Sequence, residues 1–279
     1  MSSLQHQGRA TYAFFERNWN LSKRYWTWEV VWLVYNIVNA MAVTYIGAAA
    51  QLLPGAEGAK INTSPLILYL LIGTSVWSYL SVTFEGVTDM ITIERWEGTI
   101  EHTFMAPISR FTHLVGSCWY AIAHGLLFTI LQLLVVGAFF HLDLSHANYL
   151  TVLFMLLVGS VSFIGFGIAT AVLPLLFTER GTQMSYIVRA ILLLVSGVYY
   201  PVSVLPAWMQ PLAQISPATY VLEGLRAALL NDTPIWSATI WNNTWPLLIT
   251  GVVSVPLGVF IFRVGERYAK RTGKLKRNG

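Results

Sequence analysis

Cysteine occurs once in this chain, at Cys118, which excludes an intrachain disulfide and a thiolate metal cluster. Charge is scarce too. Asp, Glu, Lys and Arg supply 11% of the residues, against about 25% in soluble domains. The signatures of nucleotide and covalent chemistry are missing as well. Gly273-Lys274 runs into Leu275, where a phosphate-binding loop needs Ser or Thr. No Gly-x-Ser-x-Gly occurs, and Cys118 and His124 are spaced so that a helix puts them on different faces. No catalytic residue and no metal site is therefore expected.

What is present is hydrophobic: 55% of the residues, more than a soluble chain of this length would bury. The few charges delimit six uncharged stretches, 30–56, 61–84, 111–142, 144–178, 190–222 and 233–262. A helix crossing hydrocarbon needs about 20 apolar residues, so each stretch is long enough. The pattern predicts an all-α membrane protein with six transmembrane helices and both termini on one side. The first stretch follows mixed and polar sequence with no small-residue cleavage site, and reads as a retained span.

Positive charge sets the orientation. Arg9, Arg17, Lys23 and Arg24 precede the first stretch, Arg95 and Arg110 follow the second, and Arg180 follows the fourth. Arg263, Arg267, Lys270, Arg271, Lys274, Lys276 and Arg277 make residues 263–279 a basic tail. Only Lys60 and Arg226 fall on the other face, with Arg189 just inside the fifth stretch. The positive-inside rule makes both termini and the 92–110 loop cytoplasmic. The net charge of +4 sits in the tail and is no sign of a nucleic-acid partner. Against an anionic leaflet each of those cations gains about 1 kcal/mol.

Three segments outside the six stretches carry information. Residues 10–28 are predicted to form an amphipathic helix in the membrane interface: Tyr12, Phe14, Phe15, Trp19, Leu21, Tyr25, Trp26 and Trp28 share one arc, and Glu16, Arg17, Asn20, Lys23 and Arg24 the other. Asn18 and Ser22 intrude on the apolar arc.

Residues 92–110 form the sizeable charged loop of the cytoplasmic side. Glu94, Glu97 and Glu101 recur at helical spacing, Ile100 and Phe104 make an apolar pair, Gly98 permits a break and Pro107 stops the helix. A short helix that docks a soluble partner is expected there.

Residues 201–232 place Pro201, Pro206, Pro211 and Pro217 at intervals that forbid one continuous helix, in a segment that is nevertheless apolar. Non-helical backbone at membrane depth survives only where other groups satisfy it. Two short helices, about 205–214 and 217–230, are predicted as an extracytoplasmic re-entrant hairpin, with Glu223 and Arg226 spaced to pair.

Polar candidates within the spans are few: Asn36 and Asn39 in the first, Glu85 and Asp89 at the inner end of the second, and His124 in the third. Glu29 sits at the mouth of the first span. These are the residues available to a substrate path, weighed against interfacial solvation or pairing with Arg95. Small residues at helical spacing, Thr250, Ser254 and Gly258, and Gly167 with Ala171, suit close helix approach between copies or within one chain.

Two of these segments together resemble the permease subunit of type-two ABC exporters, in the drug- and lipid-export branch. The loop pattern is met by Glu94, Gly98, Thr99, Ile100, Glu101, Pro107 and Ser109, and the hairpin pattern by Leu205, Pro206, Pro217, Tyr220 and Arg226. His102 and Thr103 depart from it, standing where more apolar residues are the rule. The resemblance covers residues 1–279 as one transmembrane domain.

It implies that Glu94, Glu97, Gly98, Thr99, Ile100, Glu101, Phe104 and Pro107 belong to a coupling helix that contacts a cytoplasmic ABC ATPase, present in two copies. It implies an outer gate at Pro206, Pro217, Tyr220, Glu223 and Arg226. This chain then binds no cofactor, ATP and magnesium belonging to the partner, and works with a second, identical permease in a bacterial inner membrane. The expected function is ATP-driven export of a hydrophobic or amphipathic drug- or lipid-like substrate by alternating access. The abundance of rings (11 Trp, 13 Tyr, 14 Phe) suits such cargo. A polysaccharide or glycolipid exporter is the alternative, and an ATP-independent carrier a further one.

Overall fold

The computed structural model describes residues 3–49, 64–140, 147–177 and 180–273. Lys60, Lys274, Lys276 and Arg277, and parts of the first four uncharged stretches, lie outside the described residues.

Among the described residues eleven α-helices follow one another: α1 (Ser3–Arg24), α2 (Trp26–Ala49), α3 (Ser64–Trp96), α4 (Ile100–Met105), α5 (Arg110–Phe139), α6 (Tyr149–Thr170), α7 (Val172–Leu176), α8 (Gly181–Val195), α9 (Gln210–Ile215), α10 (Pro217–Leu230) and α11 (Ala238–Arg271). Among the described residues there is no strand. Five helical runs of the described residues are long and apolar enough to cross a membrane: α2, α3 from Leu66, α5, α6 with α7, and α11. Several ends carry caps that the sequence supplies. Ser109 Oγ accepts from Thr112 N at 3.0 Å to start α5, and Asn148 Oδ1 accepts from Thr151 N at 3.1 Å to start α6.

Helix α6 lies at the centre, because it is the one with small residues on several faces. Against α11, Gly165 faces Ser254, Gly258 approaches the Gly165 carbonyl, and Ser162 Oγ donates to Leu247 O at 2.6 Å. Against α3, Gly167 abuts the Phe84 carbonyl, and Tyr79 and Ser160 share a hydrogen bond of 2.5 Å. Against α10, Gly159 receives Val221, while Gly224 of α10 receives Met155. The stripe of Ser254 and Gly258, open in the sequence to packing between copies or within the chain, is used inside the chain. Pro256 does not end α11, which runs through it for 34 residues.

The fifth uncharged stretch is not one helix. α8 has 15 residues, a rise of about 22 Å. The chain then turns through Gly197, whose φ is +68°, and enters a short 3₁₀ turn at Val202–Val204, then α9 and α10. The hairpin's first helix is shorter than the expected 205–214, because Pro206 and Pro211 confine it; its second matches 217–230, opened by Pro217 in the first turn.

Two sequence expectations change near the basic end, where α4 and the α11 terminus meet. Helix α3 runs through residues 92–96, so the loop proper is shorter than 92–110 and α4 spans only Ile100–Met105. α1 is a separate helix that begins earlier than residue 10 and breaks at Tyr25. Its seam against α5 uses Phe14 and Thr11 on Gly116, and Ser22 hydrogen-bonded to Tyr120. Asn18 is buried, whereas Tyr12, Tyr25, Trp26 and Trp28 are exposed. The polar intrusions on the apolar arc are thus packing residues, and most of the large rings point away from the protein.

The close α6–α3 approach gives a test. Gly167→Val must push a side chain into the Phe84 backbone and should lower stability by about 1–3 kcal/mol, read as a fall in thermal midpoint in detergent. Gly137→Ala, with open space around it, should leave the midpoint unchanged.

Candidate functional site

The most built part of the molecule outside its apolar core is the seat of α4. Helix α3 stops in a Schellman turn: Thr99 N donates to Glu94 O at 2.9 Å and Gly98 N to Arg95 O at 3.1 Å. Gly98 takes the left-handed conformation this needs, with φ +74°. The turn separates Glu94 from Glu101. The single acidic face expected for Glu94, Glu97 and Glu101 therefore does not form.

Instead Glu94, 1% exposed, turns inward. Its Oε1 accepts from Arg17 Nη2 of α1 at 2.6 Å and lies 3.0 Å from His113 Nε2 of α5. One carboxylate so joins three helices. Phe14 packs on His113 with ring centroids 4.7 Å apart and closes the cluster from the α1 side.

A second charge cluster holds the other end of α4. Arg110 Nη1 donates to Thr103 O at 2.8 Å, and Nη2 donates to Phe104 O. Arg110 Nε reaches Glu266 Oε1 at 2.9 Å, and Lys270 Nζ reaches the same oxygen at 2.7 Å. Lys270 also approaches Phe104 O at 3.4 Å, and the Arg110 guanidinium lies 4.5 Å over the Phe104 ring. Cations at a helix C-terminus satisfy its orphan carbonyls and its negative dipole end.

Of the eight loop residues singled out by sequence, Ile100 and Phe104 are buried anchors beside Val87, Leu114, Ile168 and Phe262. Glu94 belongs to the ion cluster. These three are buried within the chain. Glu97 and Pro107 are exposed, and Gly98, Thr99 and Glu101 are half-buried. The outward surface also includes Trp96, 84% exposed, His102 and Met105, 80% exposed, which the sequence reading did not select. Trp96 and Met105 were legible as large apolar residues in a charged loop. Arg17, His113 and Glu266 were not, since each meets its partner only through the fold.

The hairpin residues assemble differently from expectation. Glu223 and Arg226 form no ion pair; Glu223 is exposed. Arg226 donates to Val198 O at 2.8 Å and Gly197 O at 3.2 Å, and stacks on Tyr69 at 3.5 Å. It thereby caps the carbonyls freed where α8 ends. Tyr220 donates to Gln214 O at 2.7 Å, and Pro217 begins α10 while Pro206 lies in the turn before α9. A cavity of about 340 Å³ opens between Tyr69, Glu223, Arg226 and Asn231.

The five substrate-path candidates do not converge. Glu85 pairs with Arg189 of α8, rather than with Arg95, which donates to Leu175 O at 2.8 Å. Arg189 also lies over the Tyr186 ring at 5.0 Å. Asp89, one turn on from Glu85, is exposed. His124 is 3.0 Å from Glu29 and stacks with Tyr120, at the junction of α1, α2 and α5. Asn36 is half-buried and Asn39 exposed on α2. Among the described residues no His, Cys, Asp and Glu group has the makings of a metal site.

Comparison with known proteins bears on this arrangement. A family model described as ABC-2 type transporter matches residues 9–230. The chain is 25% identical over 174 residues to the probable multidrug ABC transporter permease YbhR of Escherichia coli (strain K12), covering 61% of this chain and 45% of that protein. It is 20% identical over 224 residues to the inner membrane transport permease YadH of the same strain, covering 78% of this chain and 86% of that one. A YadH of Shigella flexneri matches to the same extent. The chain thus spans less than half the length of YbhR.

The Glu94 cluster predicts its own behaviour under mutation. Glu94→Gln leaves two donors around a neutral amide and should cost about 1–3 kcal/mol of stability. Combined with Arg17→Met, the loss should be smaller than the sum of the two single losses, measured as thermal midpoints in a double-mutant cycle.

Proposed function

This chain belongs to the ABC-2 type transporter family and is an integral membrane protein, and from that premise we propose that it is the permease subunit of an ATP-driven exporter. The observation that carries this reading is the seat of α4. A six-residue helix is too short to hold itself together in water. Here the Arg110–Glu266–Lys270 cluster and two buried apolar side chains fix it, next to the Glu94 joint of α1, α3 and α5, while Trp96, Glu97, His102, Met105 and Pro107 are left uncovered. A rigidly mounted, outward-turned surface is what a coupling element needs in order to pass motion from a soluble ATPase to the spans. On this reading two copies of an ABC ATPase bind ATP and magnesium, and their closure displaces α4.

Both termini are then cytoplasmic, in agreement with the placement of Arg17, Arg95, Arg110 and Lys270 around α4. α1 lies along the inner surface, its exposed Tyr12, Tyr25, Trp26 and Trp28 at headgroup depth. α8 makes the sixth crossing together with the α9–α10 hairpin, which forms the outer gate.

The charges on the α3–α8 face support a second copy. Ionisable side chains within spans face protein or a polar cavity rather than lipid. Asp89 is exposed and Arg189 is one-third exposed. A second, identical permease facing this surface would enclose those charges in a polar path between the copies, with Glu85 and Asp89 along it. The inner membrane in the name of YadH and the probable multidrug transport in that of YbhR favour a bacterial inner membrane and a hydrophobic or amphipathic cargo.

Purification of the tagged chain from its native membrane after light crosslinking tests the reading. A nucleotide-binding ATPase should accompany the wild type in equal amount. It should be lost from Glu97→Arg/Glu101→Arg, with membrane insertion of that variant retained. A chain that returns only as an oligomer of itself overturns the proposal in favour of a carrier.

A further inference from the structure

We propose that Glu266 and Lys270, at the end of α11, are positioning residues for α4, so that the last helix of the chain sets the seat of the coupling element. The inference rests on the coupling role given to α4 above and adds a second route into the membrane, besides the direct joint from α3.

The geometry is that of a clamp whose charges balance only when α4 is in place. Glu266 Oε1 receives both Arg110 Nε, at 2.9 Å, and Lys270 Nζ, at 2.7 Å. One carboxylate thus faces two cations. The excess positive charge is taken up by the C-terminal carbonyls of α4: Arg110 donates to Thr103 O at 2.8 Å and to Phe104 O, and Lys270 lies 3.4 Å from Phe104 O. These are the carbonyls that carry the negative end of a helix dipole. With α4 lifted away, Arg110, only 12% exposed, would lose those acceptors and keep half a share of Glu266. Burial makes that state costly, because a desolvated cation without partners is poorly tolerated.

Apolar packing follows the same line. Phe104, almost fully buried, meets Phe262 of α11 with ring centroids 6.3 Å apart, one turn before Glu266. Beyond Phe262, Gly265 lets α11 come against Val172, and Gly258 lets it come against the Gly165 carbonyl of α6. A shift of α11 on α6 is therefore passed to α4 through one ring and one carboxylate. Nothing in the linear sequence signals this, since Arg110 and Glu266 are 156 positions apart. Glu266 does stand out as the one acid among the seven basic residues of 263–277.

Amide hydrogen exchange of the purified full chain, read on peptides covering 100–106 and 217–230, tests the clamp. Glu266→Gln should speed exchange of the 100–106 amides about tenfold, the effect of losing one charge-assisted centre, while 217–230 stays as in the wild type. Glu266→Asp should restore much of the protection. Unchanged exchange in 100–106 overturns the proposal. So does an equal rise in both segments, which would mean a general loss of packing. Recovery of the partner ATPase, measured on the same variants, should fall with Glu266→Gln and return with Glu266→Asp. Faster exchange at 100–106 in a chain whose wild type captures no ATPase leaves the clamp standing and removes the coupling role instead.

Discussion

Hydrocarbon supplies no hydrogen bonds, and the structure is organised around that shortage. Where the backbone is helical the carbonyls are satisfied by the helix itself, and several hydroxyls inside spans bond back to it: Thr44 to Ala40 O, Thr74 to Leu70 O, Thr83 to Tyr79 O, Thr244 to Ile240 O. Where the backbone leaves the helix, the cost appears at once and side chains meet it. After α8 the freed carbonyls of Gly197 and Val198 go to Arg226, and Thr219 donates to Ala213 O at 2.8 Å. Within α7, Pro174 removes the donor that Thr170 O would have used, and Ser185 Oγ of α8 stands 3.5 Å from it. The apolar hairpin is thus possible because its polar backbone is answered from inside the protein.

Charge is distributed by the same logic. The spans have little of it, and two clusters of it lie near α4. Glu94 gathers Arg17 and His113; Glu266 gathers Arg110 and Lys270. Each carboxylate joins elements far apart in the chain, and α4 sits between the two. The clusters do opposite things with burial. Glu94 pins the end of α3 and α1 to α5, a static joint. Glu266 balances only against the α4 terminus, so its charge is tied to where that helix lies. A short helix held this way moves as a unit with its supports, which suits a part that transmits displacement.

Much of the loop was legible residue by residue, but not its sidedness. Gly98 and Pro107 announced a break and a stop, and both occur. Glu94, Glu97 and Glu101 share helical spacing, yet spacing describes one helix, and the turn at Gly98 divides them between two elements. Ile100 and Phe104, an apolar pair, are anchors rather than a docking face, because the nearest apolar surface belongs to α5, α6 and α11 of the same chain. In the hairpin, the i,i+3 spacing of Glu223 and Arg226 suggested a pair. The unsatisfied carbonyls beyond α8 outcompete a solvent-facing carboxylate for the guanidinium.

The sequence by itself determined the class, the long apolar helices and the breaks set by Gly98, Pro107 and Pro217. Those depend on local composition, on Pro and Gly, and on the length hydrocarbon demands. It also determined which end of the bundle is basic. Only the tertiary structure decided which carboxylate meets which cation, that the small residues of α6 and α11 face each other, and which side of α4 is left uncovered. Those outcomes depend on the approach of elements a hundred residues or more apart, and a one-dimensional pattern holds no information about that approach.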